Sequence, residues 1–585
     1  MAKYNIIELS ICKGELLNYA SLSNEEKKAL QINNAIYIYR GSCSRKVYIG
    51  QTVHFLERHK QHYNGNEEKF NTADFDKVLV IFSVYFNKSA LDDVESQLIT
   101  YFTADNCGSR SQVVAFDNDE VINRTGGNSV NDYKEREDIA FRVVLPLWEK
   151  ELSPRAWVST PTLEGLRANV LVKYSPIKQL TSEQGLLINE ILNSPRKNFV
   201  INGDAGTGKT VLLTHLVAKL LSDRPHASIG VVVQPNWLKT GEEIFKVFGM
   251  NSTYLTIATS TKLIKDNRHY DVIVVDESHK LSRRYGKQHP SFNQVYDIRE
   301  YNSCNSHLEI LQKMADQLVL MYDVLQAIRP ANVTRDMFKA LTEGYEKKFL
   351  NTQFRIQAPV GKTYTSDDYI NGIKYLLYKD TGLLSSKLTN FNSNFNRDVF
   401  RDKSSDAYFG YFTDQPLHRL IDWVECDRNF NPEHVNRVLA GLVEDWRQAD
   451  GSNPNILHWY EGDIQRRWNS TQENWINSQE ADAEDQIGSV FAVQGIDLNK
   501  VGVLIGADLE VVEDGKLRAN PNNFYNTNGT FTMEEMQDPS NQFEFTLFVL
   551  NIYYVLLTRG IDGIRLGFWH NDAFREYMEK TLEIR

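Results

Sequence analysis

Residues 203 to 210 read Gly-Asp-Ala-Gly-Thr-Gly-Lys-Thr, glycines interleaved with small residues and closed by a lysine and a hydroxyl. Such glycines let consecutive backbone N–H groups wrap a phosphate chain, a lysine neutralises its terminal charges, and a threonine hydroxyl can ligate magnesium. The run follows the strand-like NFVI and precedes the helix-like VLLTHLVAKLL, the context a P-loop requires. Gly203, Gly206, Gly208, Lys209 and Thr210 are therefore expected to bind a nucleoside triphosphate. Further on, VIVVDESH closes an apolar strand on paired acids. At the carboxyl end of such a strand, Asp276 can hold the magnesium, and Glu277 can orient or deprotonate an attacking water.

A second set of reactive side chains lies near the start. Residues 35 to 50, AIYIYRGSCSRKVYIG, hold two short apolar runs around a polar turn. Pairing them sets Tyr37 and Tyr48 on neighbouring strands, with Gly50 allowing close approach at the strand end. Tyrosine in a hairpin is by itself ordinary β-propensity. The neighbouring segments add chemistry: in TVHFLERHKQH, helical spacing puts Arg58 and His62 four apart on one face. SALDDVESQLI then places Glu95 among apolar neighbours, and Asn123 precedes a Gly-Gly turn.

The elements that must position these groups belong to several domains, because 585 residues exceed what one core can organise. Hydrophobic residues make up 42% and charged residues 24%, a globular composition, and no apolar run is long enough to span a bilayer. The acid-bearing first thirty residues do not resemble a secretory leader, so a cytoplasmic, membrane-free protein is expected. Five scattered cysteines with no CxxC pair suggest neither disulfides nor a zinc site. A net charge of −11 confines any nucleic-acid site to a local basic groove. Composition shifts divide the chain into an extension (1–33), a first domain (34–130), a connector (131–175) and two further blocks (176–345 and 346–585). In the last two, β-branched runs such as SIGVVVQP and YDVIVVDE alternate with helix-length segments, the signature of parallel α/β sheets.

Residues 173 to 585 resemble superfamily-one helicase-type ATPases, specifically the bacterial group related to the Schlafen helicase-like region. Asp276-Glu277-Ser278-His279 is similar to their second motif and Leu180-Thr181-Ser182-Glu183-Gln184 to the adenine-contacting glutamine motif, although Thr181 and Gln184 also fit a helix capping box. Tyr322-Asp323-Val324-Leu325-Gln326 resembles a degenerate third motif, with Gln326 as phosphate sensor. Asn351-Thr352-Gln353-Phe354-Arg355 is similar to the fourth, Val493-Gln494-Gly495-Ile496-Asp497 to the fifth, and the stretch ending in Thr558-Arg559-Gly560 to the sixth. The resemblance implies two RecA-like lobes, with Arg355 and Arg559 meeting charge at the γ-phosphate, Gln494 and Gly495 near the nucleotide, and single-stranded nucleic acid across the lobes. Trp237 could stack a base.

The first domain resembles the GIY-YIG nucleases, with Ala35-Ile36-Tyr37 and Tyr48-Ile49-Gly50 as the two name motifs and alanine replacing the first glycine. That resemblance implies a small three-stranded antiparallel sheet flanked by helices. It also implies roles: Tyr37 and Tyr48 position or deprotonate the attacking water, and Arg58 stabilises phosphorane charge. Glu95 holds a divalent metal, His62 assists proton transfer, and Asn123 buttresses the site. The fold class expected for the whole is α/β multidomain. Its function is expected to be a metal-dependent endonuclease coupled to an ATP-hydrolysing helicase or translocase, using ATP and magnesium or manganese. DNA is favoured over RNA as the partner; a second copy of the chain and accessory defence proteins are compatible partners. Anti-phage defence or restriction is the favoured context. The alternatives are repair or recombination, and an ATP-gated sensor that controls the nuclease without unwinding.

Overall fold

The computed structural model describes residues 3–584 except 65–69, 71, 106–111, 114–135, 168–169, 177–179, 205, 248–249, 251, 352–355, 357, 360, 386–388, 433, 446–449, 451–452, 454, 470–474, 476–481, 494–496 and 527–528. The chain forms two units. One comprises residues 1–195, 210–229 and 237–257; the other comprises 196–209, 230–236 and 258–585. Among the described residues no helix is long and apolar enough to cross a membrane.

In the first unit, β1 (Asn5–Cys12), β2 (Glu15–Leu16), β3 (Ala35–Arg40), β4 (Lys46–Thr52), β5 (Lys77–Phe82) and β6 (Gln112–Val113) form one sheet ordered β2-β1-β5-β3-β4-β6. Its centre is the expected antiparallel trio β5-β3-β4. The stretch read as an extension adds to it: β1 pairs antiparallel with β5 from Asn5 opposite Phe82 to Ser10 opposite Lys77. Strand alternation explains the layering. Ala35, Tyr37 and Tyr39 share one face with Val78, Val80 and Phe82 and with the aromatic core, while α3 (Lys88–Asp105) packs beside β3 and β4. Two further helices lie among the described residues of the domain. α1 (Asn24–Ile32) starts at a capping box between Ser23 and Glu26, and α2 (Phe55–Asn64) carries Arg58 and His62. The segment read as a connector is packed, not free. The Trp148 ring meets Phe102 and Tyr101 of α3 edge-on, and the Asp105 carboxylate accepts from Ser159 and Thr160 N–H at 2.6 and 2.7 Å.

In the second unit, β7 (Phe199–Gly203), β10 (Tyr270–Val275), β11 (Ala315–Tyr322) and β12 (Glu346–Leu350) pair in parallel. With β8 (Ile229–Val232), whose residues 230–232 belong to this unit, the strand order is β12-β7-β11-β10-β8. Residues 255–257 of β9 (Leu255–Ala258) belong to the first unit. β12 lies beyond the boundary drawn at 345 yet joins this first sheet, so the sheet runs further along the chain than the composition shift indicates. A second parallel sheet follows, ordered Phe409–Phe412, Gly560–Phe568, Leu498–Ile505, Arg437–Ala440. The long helix Pro539–Leu557 delivers Arg559 to the start of one of its strands.

Candidate active sites

The β3–β4 register places Tyr37 directly opposite Gly50. A Cβ at residue 50 would stand 2.3 Å from the Tyr37 hydroxyl oxygen and 2.4 Å from its Cζ, so the phenol occupies the space a side chain would need. That is why the second run ends on glycine. The Tyr37 hydroxyl lies 2.9 Å from His62 Nε2 in a buried hydrogen bond. Tyr48 stacks beside Tyr37 with ring centroids 6.3 Å apart and sits 5.2 Å from the His62 ring. His62 itself lies parallel on Phe70 at 4.1 Å. Burial and the Tyr48 phenol push the Tyr37 pKa well above the ordinary value, Arg58 pulls it down as a charge and hydrogen-bond partner, and Glu95 pushes it up again. Arg58 and Glu95 therefore both act on this hydroxyl. At neutral pH the phenol is protonated.

Glu95 is fixed from the sheet. Its Oε2 accepts from Gln51 Nε2 at 2.8 Å, and the same amide group donates to Asp92 Oδ1 at 2.5 Å. Nothing in the sequence hints at this contact, because β4 and α3 are far apart along the chain. A second tyrosine–histidine couple is equally silent there. Tyr39 hydroxyl lies 2.8 Å from His59 Nδ1, and His59 Nε2 lies 2.9 Å from the Gly14 carbonyl. A carbonyl only accepts, and burial lowers the His59 pKa, so Nε2 carries the proton and Nδ1 accepts from Tyr39. Tyr37, Tyr48, Arg58, His62 and Glu95 are thus brought together, whereas Asn123 lies outside the described residues.

In the second unit the cradle begins at the end of β7. Gly206 and Gly208 adopt φ of +85° and +80°, where glycine alone is unstrained. Lys209 Nζ donates to the Gly203 and Asp204 carbonyls at 2.5 and 3.0 Å and lies 3.8 Å from Asp323 Oδ2. Thr210 follows it in the first turn of the helix Lys209–Asp223. Asp276 and Glu277 stand just past β10, with Glu277 in a left-handed conformation at φ 49° and its N–H donating to Asp276 Oδ1 at 3.0 Å. Burial and Glu277 raise the Asp276 pKa to about 7. Burial raises Glu277 too, but the cations Lys280, Lys209 and Arg559 outweigh it and hold Glu277 low. The buried arginine Arg559 thus acts on the carboxylate expected to orient water. His279 Nε2 lies 3.2 Å from Glu277 Oε2, and burial lowers its pKa to about 3, so it stays neutral.

Gln326 donates to Asp323 Oδ2 at 2.6 Å, which makes Asp323 the link between the expected sensor and Lys209. The sequence pattern alone assigns Asp323 no role. Gln184 forms the capping box with Thr181, its Oε1 accepting from Thr181 N at 3.1 Å. Trp237 is half-buried with Tyr174 edge-on at 6.0 Å. Arg355, Gln494 and Gly495 lie outside the described residues.

Against family models, residues 196–569 match the Schlafen group 3 DNA/RNA helicase domain, more than half of the 585-residue chain. The chain belongs to that family. Ahead of this Schlafen-type helicase domain, residues 33–106 match the GIY-YIG catalytic domain, so a nuclease-type module and a helicase-type module share one chain. An uncharacterized protein of Saccharomyces cerevisiae, YPL245W, is 26% identical over 460 residues, covering 70% of this chain and 91% of the relative. Among solved structures, the Hef helicase domain of Pyrococcus furiosus is 10% identical with a TM-score of 0.29, covering 68% of this chain and 97% of its own. The Pif1 helicase of Candida albicans is 13% identical with a TM-score of 0.27, covering 69% and 99%.

Proposed function

We propose that this chain is a metal-dependent endonuclease whose cutting is governed by ATP hydrolysis in its Schlafen-type helicase domain, acting on DNA. The observation that carries the nuclease half is the 2.9 Å Tyr37–His62 hydrogen bond inside a buried cluster on which Arg58 and Glu95 both act electrostatically. In this reading Tyr37, with Tyr48 beside it, orients the attacking water and takes its proton as it passes its own toward His62. Arg58 meets the charge that grows on the non-bridging oxygens. The donor set fits a hard cation: Glu95 is a buried carboxylate that accepts from the Gln51 amide, and magnesium commonly takes one or two carboxylates and fills its remaining positions with water and substrate oxygens. Such a cation would supply Lewis-acid stabilisation of the leaving oxygen.

In the nucleotide site, Lys209 and the N–H groups of the cradle would receive the phosphates, and Asp276 would hold a magnesium ion. Glu277, kept ionised by its cationic neighbours, would orient the attacking water, and Arg559 would answer charge at the γ-phosphate. A motor and a cutter on one chain suit the search and destruction of long foreign DNA, hence our preference for a defence context. The test is direct. Purified protein is incubated with plasmid, single-stranded DNA and RNA, with and without ATP, magnesium and EDTA. Magnesium-dependent cutting of DNA is expected, lost in Glu95→Ala with ATP turnover intact. A Glu95→Ala variant that cuts at the wild-type rate would overturn the nuclease assignment.

A further inference from the structure

Lys374, on the helix Ser366–Tyr378, is an ammonium group only 1% exposed, and none of the proposed catalytic roles uses it. Its Nζ donates to Asp204 Oδ2 at 2.6 Å and to the Asn390 carbonyl. A buried ion pair is a weak source of stability, so the choice of partner is the informative part. Asp204 is the second residue of the phosphate cradle, and its backbone carbonyl is also held by Lys209 at 3.0 Å. Two ammonium groups therefore converge on one cradle residue, Lys209 on its main chain and Lys374 on its side chain. Asp204 and Lys374 both act electrostatically on Asp367, which shares the helix of Lys374, and Asp204 acts on Asp323 as well.

A cleft opens here, lined by Asn202, Gly203, Asp204, Tyr322, Asp323 and Asn390 among others. Asn202 stands at its floor, paired in register with Tyr322 of β11 on one side and Phe349 of β12 on the other. Its side chain is 2% exposed, and neither Nδ2 nor Oδ1 has a hydrogen-bond partner among the described residues. A buried amide left unmet at both ends is costly, and this one lies at the carboxyl edge of a parallel sheet, where ligands bind. Phosphate oxygens would satisfy its N–H, and a water its carbonyl.

Building on the proposed ATPase activity, we infer that Lys374 is a second cation for the terminal phosphate of a bound nucleoside triphosphate, and that Asp204 occupies it until that phosphate arrives. The exchange is one of hydrogen bonds: Nζ leaves the Asp204 carboxylate for a γ-phosphate oxygen, and no covalent bond changes. Because a diphosphate lacks that group, Lys374 discriminates ATP from ADP, whereas Lys209 serves both.

The test titrates full-length protein with fluorescent ATP and ADP analogues in magnesium. Lys374→Met should weaken ATP-analogue binding roughly tenfold or more while changing ADP-analogue binding less than about twofold, as expected for losing one charge-assisted contact. Asp204→Asn, which removes the competitor without removing the cation, should tighten ATP relative to ADP. Equal losses for both nucleotides in Lys374→Met, or no change for either, would overturn the inference and make Lys374 a structural tie. Weaker binding of both nucleotides by Asp204→Asn would do the same, and serves if Lys374→Met fails to fold. Wild-type protein that binds neither analogue would instead remove the ATPase reading on which this rests.

Discussion

The two candidate sites store their chemistry in opposite currencies. Around Tyr37 the working groups are aromatic rings and tyrosine–histidine hydrogen-bond couples, with Arg58 and Glu95 acting on them. Around Lys209 they are opposed charges packed within reach of one another: Asp323, Asp276 and Glu277 against Lys209, Lys280 and Arg559. The lesson is that the first site depends on shape, since each ring is held by another ring. The second depends on charge balance, so that exchanging one ion shifts its neighbours. Shape should break under small steric additions, and charge balance under neutralisation.

The largest expected effect comes from charge. Lys209→Ala should lower ATP turnover at least about a hundredfold, with the circular-dichroism spectrum unchanged; retained turnover would detach the cradle from the chemistry. Next comes shape. Gly50→Ala should reduce DNA cleavage about a hundredfold while ATP turnover holds, because the added methyl must displace the Tyr37 phenol by an ångström or more. If an alanine is tolerated there, the aromatic site is softer than this contrast claims. A smaller effect separates the two tyrosine–histidine couples. Tyr39→Phe leaves buried His59 Nδ1 without its donor and should cost about 1–3 kcal/mol of stability in denaturant unfolding, with cleavage falling far less than in Tyr37→Phe. Equal losses of cleavage would make the second couple part of the chemistry.

The smallest effect tests burial away from both sites. Asp508 is fully buried and accepts from the Tyr553 hydroxyl at 2.5 Å; burial raises its pKa to about 7, and that hydrogen bond only partly offsets the shift. An acid raised in the folded state stabilises fully below its unfolded value, near 4, and loses that contribution as pH rises through about 7. Asp508→Asn should therefore raise the melting temperature at pH 8 by roughly 2–4 °C and leave it unchanged near pH 4. A pH-independent difference would contradict the assignment.

Much of both sites was legible because their residues sit in short local patterns. Gly203 to Thr210 carries its own turn chemistry, VIVVDE carries its strand, and Arg58 and His62 declare a helical face. The Thr181–Gln184 capping box was equally readable, since it closes within one turn. What escaped was contact at long range. Gln51 on Glu95, Tyr39 on His59 and Lys374 on Asp204 join residues 44, 20 and 170 positions apart, and no periodicity announces them. The pairing of β1 with β5 escaped for the same reason, and so did the attachment of residues 146–160 to α3, which prolines and polar residues disguise as a linker.

The β1–β2 hairpin has a practical consequence. Its turn supplies the Gly14 carbonyl that fixes the His59 tautomer, and Gly14, at φ +82°, leaves room for the Tyr63 ring that touches His59. The amino end is thus wired into the aromatic cluster through one hydrogen bond and a ring. Trimming the first sixteen residues to obtain a minimal nuclease would strip an edge from the sheet and untether that histidine.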